Sequence, residues 1–265
     1  MEAAVSNRQP TAVAVPTESI EAPVPPSNPN FALHLVEATG AYTPPAEWDV
    51  RPRERSEVVT RVVNVVIAAI ALAATSPVML VIGLLVKLTS RGPALYSQTR
   101  VGVDRRFRRK DTDDRRVHDY GGKPFEMYKF RSMVIDSEAD GLAVWATRHD
   151  PRVTPVGRML RNTRLDELPQ LYNVIRGDMN IVGPRPERPS IFAELRENIP
   201  EYQMRQRVRP GITGWAQVNQ AYDSSIDDVR RKVSYDLEYI QRQSLIEDLR
   251  IMSMTIPLML FGRGL

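Results

Sequence analysis

The chain has 265 residues, a net charge of +4 and no cysteine. That excludes disulfides, thiolate catalysis and cysteine-ligated metal, and the three histidines, His34, His118 and His149, match no metal-ligand spacing. The mild basic excess points to an anionic partner: phosphate, nucleic acid or a membrane surface.

Residues 1–57 hold nine of the 21 prolines and show neither a helical nor a strand period. They read as a disordered or loosely ordered tail, and they lack the charged start and apolar run of a secretory signal. Residues 62–86, VVNVVIAAIALAATSPVMLVIGLLV, carry no charge and a single Asn. At 1.5 Å rise per residue such a helix is long enough to cross a hydrocarbon core of about 30 Å, so membrane insertion is expected. Its topology stays open on the residues alone. Arg51, Arg53, Arg55 and Arg61 precede it, and Lys87, Arg91 and Arg100 follow it; both flanks prefer the cytoplasmic side. Pro77 removes a backbone hydrogen bond and Ser76 can satisfy the freed carbonyl, so a helix bent there could dip into one leaflet and return. A straight span with a tolerated proline is the other reading.

Residues 104–119, DRRFRRKDTDDRRVHD, mix both signs of charge around one aromatic. Base-stacking platforms need several aromatics, so the expectation is a solvated loop near anionic headgroups and no nucleic-acid partner. From residue 120 the chain looks globular. KPFEMYKFRSM (123–133) alternates as a strand, and residues 155–162 form a short helix. TRLDELPQLYNV (163–174) then reads as a helix start, with acidic residues and Pro169 in the first turn, helical spacing through Leu168, Leu171, Tyr172 and Ile175, and Gly177 as C-terminal cap. MNIVGPRPERP (179–189) is a strand and a proline-stiffened turn, and Pro189 starts a helix through Ile191, Phe192 and Leu195. PGITGWAQV reads as turn and strand. Asp227 caps an amphipathic helix with Val229, Val233, Leu237 and Ile240 on one face. Residues 245–261 align Leu245, Leu249, Met252, Ile256 and Leu260 and suit a membrane surface.

Asp166 has two readings: the N-cap of its helix, or half of a working pair with Glu167. Basic residues favour the second. Arg161 lies one turn upstream, Lys129 and Arg131 sit in the predicted strand, and Arg185 is clamped between Pro184 and Pro186. A guanidinium fork so restricted matches phosphate oxygens. A carboxylate can attack phosphorus, and carboxylates with a divalent cation can neutralise phosphate charge. No GxxxxGK cradle and no GxGxxG follow a strand, so arginines, metal and a helix start would hold the phosphate. Membrane insertion suggests that one substrate is a lipid.

Residues 58 to 262 resemble the monotopic phosphoglycosyl transferases, the bacterial sugar transferase family. The matching stretches are SP (76–77), YSQTRVG (96–102), KPFEMYKFRSM, VTPVGRMLRNTRLDELPQLYNVIRGDMNIVGPRPE and RPGITGWAQVN. The resemblance implies an α+β fold, mostly helical, with a re-entrant membrane helix over 58–90 broken at Ser76-Pro77. It implies a compact cytoplasmic catalytic domain over 91–265, with short strands and interfacial amphipathic helices, at the bacterial inner membrane. The implied reaction moves a sugar-1-phosphate from a UDP-sugar to a polyprenyl phosphate, such as undecaprenyl phosphate, and releases UMP. Asp166 would be the nucleophile and would contact Mg²⁺; Glu167 would assist as a base or near the metal. Lys129, Arg131, Arg161 and Arg185 would hold phosphates beside Pro184 and Pro186, and Asp248 matches a family acidic position of unassigned role. A homodimer is compatible with the apolar C-terminal segment. The family commonly reads AQVNGR where this chain reads AQVNQAYD, with Ala221 at the arginine's place. A membrane-anchored scaffold without turnover is the alternative function.

Overall fold

The computed structural model describes residues 50–105, 120–135, 150–220 and 226–260. The histidines, Ala221, nearly all of the charged stretch 104–119 and residues 1–49 of the predicted tail lie outside them. The fold is mostly helical with short strands. Helix α1 (Glu57–Thr89) is followed by strands β1 (Leu95–Val101) and β2 (Pro124–Phe130), then helix α2 (Pro155–Asn162). A 3-10 turn (Leu165–Glu167) leads into α3 (Gln170–Arg176) and β3 (Asn180–Val182). Next come α4 (Pro189–Asn198), a 3-10 segment (Pro200–Arg207), β4 (Gly211–Thr213) and α5 (Trp215–Asn219). Helices α6 (Ile226–Arg242) and α7 (Leu245–Leu260) end the described chain. β1 and β2 pair antiparallel, with Leu95 opposite Phe130 and Val101 opposite Pro124; β3 and β4 pair parallel.

Helix α1 is 33 residues long, about 50 Å at helical rise. Ser56 caps its first turn by accepting from the Val59 amide. The helix stays α-helical across Pro77. The local device expected there is present: the Ser76 hydroxyl donates to the Ala73 carbonyl at 2.8 Å, the very carbonyl that Pro77, lacking an N–H, cannot engage. Both halves of α1 lean on the globular part. Ala68 packs with Phe125, Met127, Leu171, Val174 and Met179, while Ile82 and Val86 pack with Phe130 and Leu160. Between them, Ala73, Ala74, Ser76, Pro77 and Val78 are exposed. The outer face is apolar and bare, with Val58, Val62, Val66, Ile70, Leu80, Val81, Leu84 and Leu88 all exposed.

Both ends of α1 are also tied down by polar contacts. Arg61 caps α3 by donating to the Val174 and Ile175 carbonyls. Asn64, the one Asn of the apolar run, donates to the Thr60 carbonyl and accepts from the Ile181 amide of β3 at 2.7 Å. At the far end Arg131 donates to the Ser90 carbonyl and hydroxyl at 2.8 and 2.7 Å, where a cation also complements the helix dipole. Residues 50–55, placed in the tail by composition, are bonded to the domain: the Arg53 amide donates to the Ile240 carbonyl and Arg55 pairs with Asp248 at 2.8 Å. Proline content marked that segment as loose, but long-range contacts order it.

Several expected elements appear where the periodicity put them: α2, α4 and α6, with Val229, Val233 and Ile240 buried. PGITGWAQV forms β4 and then the short helix α5 in place of a plain strand. On α7, Leu249 and Ile256 are exposed as expected, joined by Ile246, while Ile251 is fully buried in the core.

Candidate active site

Local chain geometry builds the site around Asp166. Arg164 has φ 55°, the one non-glycine residue in the left-handed region among the described residues. Such a conformation costs an L-residue about 1 kcal/mol and persists where surrounding structure dictates it. It turns the chain sharply out of α2 and into the 3-10 turn that carries Asp166 and Glu167. The expected single helix start is thus divided. Pro169 occupies the N-cap position of α3, no side chain caps either element, and Gly177 closes α3 with φ 97°. The N-cap reading of Asp166 is corrected here: its carboxylate makes no capping bond, because the 3-10 turn separates it from the amides of α3.

The two carboxylates have opposite lives. Glu167 accepts from Lys129 Nζ at 2.9 Å and from Arg185 Nη2 at 2.6 Å on Oε1, with Arg185 Nη1 at 3.4 Å from Oε2. Burial alone would raise its pKa, but the charges and hydrogen bonds of Arg185 and Lys129 outweigh that and hold the carboxyl well below the usual range. A group so held is a poor proton acceptor, which argues against a base role for it. Asp166 is buried, at 7% exposure, and its carboxylate makes no hydrogen bond or ion pair among the described residues. Burial pushes its pKa up, and Glu167 adds to this, against the pull of Lys129, Arg185 and Arg161. One carboxylate therefore organises cations, and its neighbour stands uncommitted beside them.

The loop that presents Arg185 is fixed from behind. Its Pro184, Arg185 and Pro186 carbonyls accept from the Gly211 amide, Arg205 Nη2 and Arg100 Nη1, each at 3.0 Å. Arg205 is fully buried, pairs with Asp236 at 2.7 Å and stacks 4.6 Å from the Tyr202 ring centroid. Glu187 pairs with Lys232 at 3.1 Å and lies 3.7 Å from Arg100; against the cost of burial, Lys232, Arg205 and Arg100 hold its pKa down at about 2. A Cβ on Gly211 would lie 2.1 Å from the Gly183 nitrogen, so only glycine permits this close approach of β3 and β4 below the loop.

A sequence model of the bacterial sugar transferase family matches residues 55–262. The chain belongs to that family. It is 41% identical over 206 residues, 78% of its length, to a UDP-N-acetylgalactosamine-undecaprenyl-phosphate N-acetylgalactosaminephosphotransferase of Aeromonas hydrophila, covering 44% of that protein. It is 41% identical over 198 residues, 74% of its length, to a UDP-glucose:undecaprenyl-phosphate glucose-1-phosphate transferase of Escherichia coli K12, covering 39% of it. A Caulobacter vibrioides protein of the same description is 40% identical over 211 residues, 79% of this chain and 72% of that one. The chain therefore spans about two-fifths of the length of the first two relatives.

Within this family framework the predicted site residues separate. Lys129, Arg185, Asp166 and Glu167 converge, and Arg161, with no side-chain partner among the described residues, lies near enough to Asp166 to stabilise its charge. Pro184 and Pro186 shape the loop. Arg131 does not join: it is buried against Ser90 at the end of α1. Asp248 does not join either. It is buried on α7, paired with Arg55 and accepting from the Tyr239 hydroxyl at 2.6 Å, so it fastens the segment that enters α1. The sequence missed Arg100, Glu187, Arg205, Lys232 and Asp236. Only Glu187, directly after Pro186, carried a local hint; the others are single charges whose partners lie far along the chain.

No group of three or more His, Asp or Glu suited to a metal occurs among the described residues. Magnesium usually keeps several waters and takes one or two protein carboxylates plus substrate phosphates. With Glu167 engaged by two cations, Asp166 is the carboxylate free to serve such an ion, and that minimal donor set fits it.

Proposed function

We propose that this protein transfers a sugar-1-phosphate from a UDP-sugar to a polyprenyl phosphate, such as undecaprenyl phosphate, through a phosphosugar–Asp166 intermediate. The observation that carries the reading is the buried, uncommitted Asp166 carboxylate beside Lys129, Arg185 and Arg161. In the first half-reaction an Asp166 oxygen forms a bond to the sugar-bearing phosphorus. The bond from that phosphorus to the bridging oxygen breaks, and UMP leaves with the electron pair. In the second, a phosphate oxygen of the polyprenyl phosphate attacks the same phosphorus and the Asp166 carboxylate departs. Each step passes charge across phosphoryl oxygens, which fixed cations stabilise without reorganising. Lys129 and Arg185 are pre-aimed by Glu167, and Arg161 supplies a cation with no side-chain hydrogen bond or ion pair among the described residues. Bound at Asp166, Mg²⁺ would add neutralising charge on the diphosphate.

The membrane helix supports the lipid half of this reading. Its N-terminal half is bonded to α3 and β3, and its C-terminal end to Arg131, so both ends sit on one globular domain. A domain cannot stand on both sides of a bilayer. In this reading the continuous helix enters one leaflet with its exposed outer face around Ser76-Pro77 and returns without crossing, and the exposed Ile246, Leu249 and Ile256 of α7 meet the same interface. The basic flanks support a location of that interface at the cytoplasmic face of the inner membrane. Residues 58–90 thus serve as the membrane element and 91–265 as the catalytic domain.

The test is UMP release in detergent with Mg²⁺ and undecaprenyl phosphate, across UDP-glucose, UDP-galactose and UDP-N-acetylated sugars, with Asp166→Asn alongside. Release from one donor, abolished by the substitution, is expected. Release that survives Asp166→Asn overturns the covalent route. No release from any donor by folded protein favours a scaffold.

A further inference from the structure

Glu167, Gln170 and Asn173 follow one another at three-residue intervals through the 3-10 turn and α3, a spacing that lines up side chains along one face. The outer two are engaged with β2. Glu167 holds Lys129, while Asn173 accepts from the Tyr128 amide at 3.0 Å and donates to the Glu126 carbonyl at 2.7 Å. Gln170 stands between them in sequence and is more buried than Glu167, at 1% exposure. Its amide nitrogen is buried, yet its carboxamide makes no hydrogen bond among the described residues.

Leaving a buried donor unpaired is costly, and native proteins rarely do it without a reason. Nearby backbone on β2 is served by Asn173, which shows that an amide on this face can reach the strand. Gln170 also follows Asp166 by four residues, and the intervening Leu168 and Pro169 keep right-handed helical backbone. Side chains four apart in such a run are neighbours, and the later one leans back toward the earlier. An unpaired donor and the unpaired Asp166 carboxylate therefore share one turn of chain.

We infer that Gln170 is a further catalytic residue whose Nε2 donates to an oxygen of the phosphoryl group attacked by Asp166. Phosphoryl oxygens are acceptors only, so an N–H is the matching group. A neutral donor adds directional stabilisation where Lys129, Arg185 and Arg161 supply charge, and it does so without drawing the Asp166 carboxylate into an ion pair. The bond belongs to the substrate complex, which is why no partner is found among the described residues. This inference rests on the reaction proposed above.

Gln170→Met tests it, because it keeps the side-chain length and apolar fit but removes the donor. The expected result combines two opposite changes. Single-turnover UMP release falls on the order of 100-fold, as when one preorganised donor is lost, with KM for the UDP-sugar little changed. The midpoint of thermal unfolding without substrate rises, because an unpaired polar group has been replaced by an apolar one. A fall in both rate and midpoint would mean that Gln170 has a partner within the folded chain, and would overturn the inference. So would a rate equal to wild type. Gln170→Glu separates donor from size: a carboxylate facing phosphate is expected to reduce the rate further than Met, and a rate above that of Met also overturns it. Wild-type and Asp166→Asn protein run in parallel. Wild-type silence, or release that survives Asp166→Asn, refutes the reaction itself, whereas a failure confined to the Gln170 variants refutes only this role.

Discussion

The turn that carries Asp166 and the loop that carries Arg185 face one another across Glu167, and they are built on opposite rules. In the loop, three successive carbonyls are held by Gly211, Arg205 and Arg100, and the arginines are in turn paired with Asp236 and Glu187. In the turn, Arg164 is strained, and among the described residues the buried Asp166 carboxylate and the Gln170 amide nitrogen have no hydrogen-bond partner. Each scaffold cation has a carboxylate partner that fixes its position, even though Arg100 Nε and Arg205 Nη1 are left without a bond. Leaving buried polarity unpaired costs stability. The Asp166 carboxylate has no ion-pair partner among the described residues, and that separates the turn from the loop although both are rich in charge.

Breaking the scaffold should have the largest effect. Asp236→Asn leaves Arg205 as an uncompensated buried cation and should destabilise the domain by about 3–5 kcal/mol, read as a lowered denaturation midpoint together with lost activity. Glu167→Gln should cost less stability, about 2 kcal/mol, because it removes charge-assisted hydrogen bonds whose cations, Lys129 and Arg185, remain partly exposed to water. It should still abolish UMP release, since Lys129 and Arg185 lose their common anchor. If Glu167→Gln protein stays fully active, the division of labour between the two carboxylates fails. Asp248→Asn weakens the Arg55 and Tyr239 contacts and should cost about 1–2 kcal/mol while leaving the chemistry of bound substrate unchanged. An effect confined to the chemical step would return Asp248 to the site.

The smallest effect sharpens the contrast by its sign. Burial raises the pKa of Asp166 in the folded chain, so its ionised form opposes folding above that value. Asp166→Asn should therefore be slightly more stable than wild type at neutral pH. The advantage should shrink as pH falls through the raised pKa toward the ordinary carboxylate value, measured by paired thermal unfolding. The proposed attack by Asp166 needs the ionised carboxylate, so the acid limb of wild-type activity should lie above the ordinary aspartate pKa. A limb at or below that value removes the argument that burial tunes Asp166.

Much of this was legible along the chain. The apolar run from 62 to 86, the helix at 155–162 and the strand through Lys129 follow from periodicity and breakers, which act over a few residues. The Ser76 device was legible for the same reason: a proline frees the carbonyl four residues back, and the adjacent hydroxyl reaches it. Asp166, Glu167, Lys129 and Arg185 were legible as residue types suited to phosphate. Where Arg131 and Asp248 are fastened was not legible, because a charged side chain announces its chemistry but not its partner. Ser90 lies 41 residues from Arg131 and Arg55 lies 193 from Asp248, distances over which no local pattern speaks.

The sequence by itself determined that this chain carries a helix long and apolar enough to cross a membrane, which family it belongs to and which residue types suit phosphate. Those are properties of composition, spacing and motif. Only the tertiary structure decided that Glu167 is spent on two cations while Asp166 and Gln170 lack side-chain partners among the described residues, and that both ends of the long apolar helix rest on one domain. Burial and pairing depend on which distant segments meet, and it is burial and pairing that make one of two adjacent carboxylates an anchor for cations and leave its neighbour uncommitted.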